Sequence, residues 1–200
     1  MAGEGIPFLA AAAALAVYAW FFLDVAVVMG AASLFFVLFL VFRDPRRTVP
    51  ASPLGVISPV DGRVLQVGIA DSGPLEGKAH CVLIKIDSLG TYTARSPVEG
   101  QIKDLRSMAG EQPGDGRSKA LWVQTDDGDD VVVQFHGYRF GLAPRSFIGI
   151  GQRIGQGRRC AYLRLARQAE LHLPIDTKIY VQPGEVVVAG CDLIGKLTHR

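Results

Sequence analysis

The stretch SPVDGRV, Ser58–Val64, recurs as SPVEGQI, Ser96–Ile102. A second echo accompanies it. IGQRIGQGRRCAYLRL, Ile150–Leu165, returns loosely as VQPGEVVVAGCDLIGKL, Val181–Leu197. Both members of that second pair follow G-x-x-[VI]-x-x-G and then an apolar strand, with the pattern falling on Gly151, Ile154 and Gly157 and again on Gly184, Val187 and Gly190. Glycines so spaced suit a tight turn into a short strand, at places where φ is positive or two backbones come close.

The surrounding texture agrees. From Thr48 onward the chain is a series of short β-like runs broken by Gly and Pro, with no long amphipathic helix. The runs are Gly62–Ile69, His80–Ile86, Gln101–Leu105, Ala120–Thr125, Val131–His136, Tyr162–Leu165, Glu170–Leu173, Lys178–Val181 and Asp192–Leu197. Many short strands separated by turn signals predict an all-β barrel or sandwich. The duplicated glycine pattern resembles the half-motifs of the biotinyl/lipoyl-type barrel, which implies a carrier or adaptor module at the membrane as one possible function. Carriers of that class hold their prosthetic group on a lysine at a hairpin tip, and no such lysine is present. The long coiled hairpin between the half-motifs of membrane-fusion adaptors is also absent.

The first residues are of another kind. IPFLAAAAALAVYAWFFL (6–23) and VAVVMGAASLFFVLFLVF (25–42) are apolar throughout, and only Asp24 separates them. One continuous helix over both would be about 55 Å long, well beyond a hydrocarbon core of roughly 30 Å. Two short helices meeting near Asp24 fit better, as a transmembrane or re-entrant hairpin. A cleavable signal is not expected, because no basic residue precedes Arg43 and the apolar length is too great. Arg43, Arg46 and Arg47 then form a cluster suited to the cytoplasmic face and to anionic headgroups, and Pro45 stops the helix. The expected organisation is a membrane hairpin with its basic flank over 1–47 and a β domain over 48–200, on the cytoplasmic side of a cell inner membrane.

Charge and cysteine content exclude several classes. Beyond residue 42 lie all 21 basic and 17 of the 19 acidic residues, a mild positive surplus with no long cationic run. Nucleic acid is therefore not an expected partner. Cys81, Cys160 and Cys191 are too few and too scattered for a disulfide framework or a zinc ribbon, so free thiols in a reducing compartment are expected. His80, His136, His172 and His199 show no metal-ligand spacing, and no metal site is expected from them. The run DDGDD, Asp126–Asp130, lacks the twelve-residue calcium-loop frame, and an Asp-Gly hairpin turn accounts for it. By composition, Gly110–Ala120 is a flexible loop.

One segment stands out against this pattern. In RLARQAELHLP, Arg164–Pro174, strand alternation puts Leu165, Ala169, Leu171 and Leu173 on one face with Arg167 in their midst. A guanidinium in an apolar row is costly unless it is paired or reaches water.

Taken in order, FRDPRRTVP, SPVDGRV, RSPVEGQI, VVVQFHG, GQRIGQG and YLRLARQAELHLP resemble the short bacterial and archaeal phosphatidylserine decarboxylases over essentially the whole chain. The resemblance implies a proenzyme that cuts itself before the serine of a Gly-Ser pair. That serine becomes a pyruvoyl group, which serves as the electron sink for decarboxylation. An aspartate and a histidine assist the cut. Carried over by position, the aspartate is Asp61. Tyr92 stands where the histidine is expected, Ala94 replaces an asparagine, and Arg95 and Pro97 are retained. Ala166 and Arg167 occupy the glycine and serine positions. Arginine has no nucleophilic oxygen and stays protonated, so no ester and no pyruvoyl can form there. Tyrosine, with a pKa near 10, is a poor base at neutral pH. The expectation is a lipid-headgroup-binding or regulatory pseudoenzyme without a pyruvoyl cofactor. Arg167 and Arg95 would hold a phosphate or carboxylate, or Arg167 would simply pair with Asp61. Its partners would be membrane phospholipid and a second copy or an active decarboxylase. The alternative is an active decarboxylase making phosphatidylethanolamine through a displaced site, for which Gly190-Cys191 is the candidate pair.

Overall fold

The computed structural model describes residues 3–45, 47–71, 74–75, 77–88, 90–105, 119–137, 142 and 144–198. Arg46, His199 and most of the Gly110–Ala120 tract lie outside them. The chain forms two compact units, one of residues 1–46 with 89–92, the other of residues 47–88 with 93–200.

The first unit is a helical hairpin. A 3-10 turn, Gly3–Gly5, leads into α1, Ile6–Phe22, and α2 spans Val25–Val41. The break falls at Leu23-Asp24, where both residues are extended, as the lone charge between two apolar runs predicts. The hairpin closes at its open end, where the Phe8 and Phe42 rings stack at 5.8 Å and Gly5 fits against Phe42. Ala12, Ala19 and Ala31 are among its few buried side chains, and such small residues let helix backbones approach. Trp20, Phe21, Phe22 and Val25 are more than 70 % exposed, which no core explains. Gly3–Phe22 is long and apolar enough to cross a membrane, while α2 is shorter.

The second unit is all β. Among the described residues its strands are β1 (Gly55–Ile57), β2 (Gly62–Ala70), β3 (Ala79–Ile86), β4 (Thr93–Arg95), β5 (Gly100–Asp104), β6 (Lys119–Gln124) and β7 (Asp130–His136). There follow β8 (Arg145–Ser146), β9 (Arg153–Ile154), β10 (Arg159–Tyr162), β11 (Gln168–Pro174), β12 (Lys178–Ile179), β13 (Val186–Val187) and β14 (Leu193–Lys196). An eight-stranded antiparallel sheet runs β13-β2-β3-β11-β7-β6-β5-β9, with two three-stranded sheets, β1-β14-β12 and β4-β10-β8. Among the described residues the sheets do not close into a barrel. Core rows cross the large sheet in register: Val64, Ile84, Ala169 and Phe135 in one, Val82, Leu171 and Val133 in the next, all essentially buried.

The sequence echoes are matched bond for bond. Ser58 Oγ donates to the Val60 carbonyl at 2.7 Å, and Ser96 Oγ to that of Val98 at 2.7 Å. The Gly190 amide reaches the Ser58 carbonyl at 2.9 Å, and that of Gly157 reaches Ser96 at 2.9 Å. β13 flanks β2 as β9 flanks β5. Gly151, Gly157, Gly184 and Gly190 all have positive φ, as their spacing predicts. Gly62 and Gly100 enter their strands so close to a neighbour that an added Cβ would lie 2.1 Å from a carbonyl oxygen, of Lys85 and Gln124 respectively. The two halves diverge at the residue before that glycine. Glu99 is on the surface, 3.2 Å from Arg153, whereas Asp61 is turned inward.

One expected strand is corrected. Strand β10 ends at Tyr162, so Tyr162–Leu165 is not a strand. Arg164 adopts a left-handed φ of 52°, and the Ala166 amide bonds back to Leu163 at 3.1 Å, turning the chain. Leu165 is consequently exposed and leaves the apolar row. The hairpin expected at Asp126–Asp130 is present, with Gly128 at a φ of 89° between β6 and β7.

Candidate functional site

Asp61 closes the SPVDG turn just before β2. Its Oδ1 accepts the Ala189 amide at 2.7 Å, and its Oδ2 pairs with the Arg47 guanidinium at 3.0 Å. The two side chains are only 14 % and 22 % exposed, so solvent screens the pair weakly. Arg47, expected at a membrane surface, is thus folded into the β unit as the partner of the retained aspartate. Arg43 is exposed.

Arg95, from the opposite half, packs into the same corner. It is 5 % exposed and donates to the Gly157 carbonyl at 2.9 Å. An added Cβ at Gly190 would lie 2.7 Å from the Arg95 stem and 3.7 Å from that of Arg47. The corner therefore needs a glycine with positive φ between two arginine stems. Arg95 bridges the two glycine turns, and its burial removes it from the surface where a headgroup would be met. Cys191 follows Gly190 and is partly buried, whereas Cys160 is fully buried and its thiol is pushed up to about 12 by desolvation. A thiol so placed is a poor nucleophile.

Ala166 and Arg167 lead into β11 of the large sheet. The Arg167 backbone continues the ladder, its amide donating to the His136 carbonyl at 3.1 Å and its carbonyl accepting from Ile86 at 2.8 Å. By register Arg167 belongs to the row of Gly62, Ile86 and Gly137, one step beyond the core row. That is why the pattern places it among apolar residues, yet its side chain is exposed. The row has run out of the core, and the guanidinium reaches water. Arg167 has no ion pair among the described residues, so the expected pairing with Asp61 is not made; Arg47 takes that place. Ala166 is buried.

Tyr92 belongs to the helical unit. Its hydroxyl lies 3.3 Å from the Glu4 carboxylate, and its ring meets Phe42 edge-on at 4.8 Å. A donor bonded to a carboxylate is not placed as a base.

A second grouping, which the spacing of the histidines did not reveal, lies on the outward face of the same sheet. Glu170 accepts from Cys81 at 3.0 Å and contacts His136 at 3.0 Å and His172 at 3.4 Å. The hydrogen bond with His136 is the main reason the Glu170 carboxyl is held down to about 2. Burial, then Glu170, pushes the Cys81 thiol up to about 12. Burial lowers the His172 pKa and keeps the ring neutral. The available signal was the alternation E-L-H on one strand, which puts both groups on one face.

No protein-family model matches the chain. Curated relatives do. The chain is 33 % identical to a phosphatidylserine decarboxylase proenzyme of Symbiobacterium thermophilum, over 98 % of this chain and 95 % of that one. It is 31 % identical to the proenzyme of Nitrosomonas europaea, over 94 % and 91 %. With that of Burkholderia cenocepacia the identity is 28 %, over 98 % and 96 %. Among solved structures it is similar to glucose permease IIA from Mycoplasma capricolum, with a TM-score of 0.46 and 16 % identity over 71 % of this chain and 94 % of that one.

Proposed function

The chain belongs to the phosphatidylserine decarboxylase family, and we propose that within phospholipid metabolism it is a pseudoenzyme, a headgroup-binding or regulatory protein that keeps the scaffold without self-processing. The observation that carries this reading is Arg167. The resemblance puts it where the self-cleaving serine stands, and it is an exposed cation on a backbone fixed from both sides by β3 and β7. No oxygen is available there to attack the Ala166 carbonyl, so no ester forms and no pyruvoyl follows. Both oxygens of Asp61 already accept hydrogen bonds, which makes it a clamp rather than a free base.

What the site can do is bind. Arg167 offers an exposed planar guanidinium suited to a phosphate or carboxylate of a lipid headgroup. The exposed apolar helices suit anchorage in a membrane, and the charge order ending in Arg43 suits the cytoplasmic side of the inner membrane. Its partners are then membrane phospholipid and a second copy or an active decarboxylase.

A second reading rests on one contact. Ala189, next to Gly190-Cys191, is bonded to Asp61, so a thiol follows the glycine that adjoins the retained aspartate. Intact-mass measurement of the purified full-length protein separates the two. A single species at 21.5 kDa is the expected result. Cleavage before Cys191 with a pyruvoyl-capped 191–200 fragment would establish Cys191 as the nucleophile, and a cut elsewhere with a pyruvoyl-capped fragment would overturn the assignment of Arg167.

A further inference from the structure

The outward cluster is independent of that corner. Strand alternation puts it on the face opposite Arg167 and the core rows. His172 on β11 and Cys81 on β3 are cross-strand partners, and Glu170 is two residues from His172 on the same face. The Cys81 Sγ, a Glu170 carboxylate oxygen and a His172 ring nitrogen all lie within 4.8 Å of one another.

His172 makes the grouping more than a hydrogen-bonded carboxylate. The residue is 2 % exposed, yet neither Nδ1 nor Nε2 has a hydrogen-bond partner among the described residues. Its Nε2 faces Glu170 at 3.4 Å without the geometry of a hydrogen bond. Buried polar groups left unsatisfied are rare and costly, and here the unsatisfied imidazole lies beside a thiol and a carboxylate.

We propose that Cys81, Glu170 and His172 form a binding site for a divalent transition-metal ion of the zinc type, with His136 holding the second oxygen of Glu170. Sulfur and imidazole donors select such an ion over calcium or magnesium. Bonds of about 2.3 Å to sulfur and about 2.0 Å to nitrogen and oxygen place tetrahedral ligand atoms roughly 3.3–3.6 Å apart. The contacts of 3.0 and 3.4 Å to Glu170 are close to that spacing. The thiol-to-imidazole edge, within 4.8 Å, closes by about 1 Å through side-chain rotation. Thiolate and carboxylate balance the two positive charges, and the thiol proton passes to solvent as the metal–sulfur bond forms. Glu170 is a quarter exposed and gives the entry path. Three protein ligands leave the fourth position to water. The spacing of the histidines gave no sign of this grouping, because its members gather across strands rather than along one.

The test is titration of chelator-stripped, reduced full-length protein in detergent with Co²⁺ as a spectroscopic stand-in. One equivalent is expected to produce a thiolate-to-cobalt charge-transfer band and tetrahedral visible bands, which Zn²⁺ then displaces. Cys81→Ser abolishes the charge-transfer band, Glu170→Gln and His172→Ala each weaken binding at least tenfold, and His136→Gln weakens it about 10–100-fold. Should Cys81→Ser fail to fold, Glu170→Gln, which keeps shape and thiol, decides the matter with circular dichroism as the folding control. Absence of the band in wild-type protein, its persistence in Cys81→Ser, or undiminished affinity in folded Glu170→Gln overturns the proposal.

Discussion

Removing the carboxylate charge at Asp61 tests the reading that the aspartate is now a clamp. In Asp61→Asn the side chain keeps an acceptor for the Ala189 amide but loses its ionic bond to Arg47, now 3.0 Å away. A hydrogen bond to a charged group contributes about 1.5–3 kcal/mol, and the guanidinium left behind is more than three-quarters buried. The expected loss of stability is about 2–3 kcal/mol for Asp61→Asn and about 3–5 kcal/mol for Asp61→Ala, which forfeits both bonds. Arg47→Met combined with Asp61→Asn should recover part of this, with a coupling energy of about 1–3 kcal/mol. The assay is urea unfolding of the full-length chain in detergent, with Trp20 replaced by Phe so that Trp122, on β6, reports on the β unit alone. Moderate salt should change the coupling little, since the pair is mostly shielded from solvent. A coupling energy within error of zero would refute the clamp and return Asp61 to the list of groups free to act on a substrate.

Other outcomes follow from the same geometry. Gly62→Ala and Gly100→Ala should each cost more than about 3 kcal/mol, because each adds a Cβ at 2.1 Å from a backbone oxygen that cannot move; thermal melts in which either is tolerated would deny the equivalence of the halves. Gly190→Ala should be worse than Gly184→Ala, since both have positive φ but only Gly190 has the Arg95 stem in the way; paired melting temperatures check the order. Glu170 is ionised in the fold well below its ordinary 4.5, at about 2, so its stabilisation is complete above pH 4.5 and fades as the pH falls toward 2. After allowance for its partial exposure this amounts to about 2 kcal/mol, and metal-free Glu170→Gln should flatten that part of an acid-unfolding profile. Arg167→Ala should weaken binding of glycerophosphoserine about tenfold by titration calorimetry while leaving the melting temperature unchanged, because the side chain makes no ion pair among the described residues.

Local chemistry made much of this protein legible from its residues. Apolar composition and length set the paired helices with their break at Asp24, because a single charge between two apolar runs has few places to go. The repeated SPV[DE]G and glycine patterns set the two half-motifs, because positive φ and close backbone approach admit little besides glycine. The Ala166-Arg167 pair was visible as chemistry, since an arginine cannot act as an oxygen nucleophile whatever its surroundings.

Tertiary structure decided the rest, and in each case the reason is a contact between residues distant in the chain. Alternation put Arg167 in an apolar row correctly but could not show that the row had left the core, which depends on where β3 and β7 end beside it. Arg47 read as a headgroup-facing cation because its neighbours in sequence are basic; its position against Asp61 is fixed by the fold of the SPVDG turn. Arg95 read as a ligand group and is instead buried, held on the Gly157 carbonyl, with its stem against Gly190 of the other half. The histidines appeared unrelated because a strand separates ligands by register rather than by spacing, so His172, Glu170, Cys81 and His136 meet only once β3, β11 and β7 are side by side.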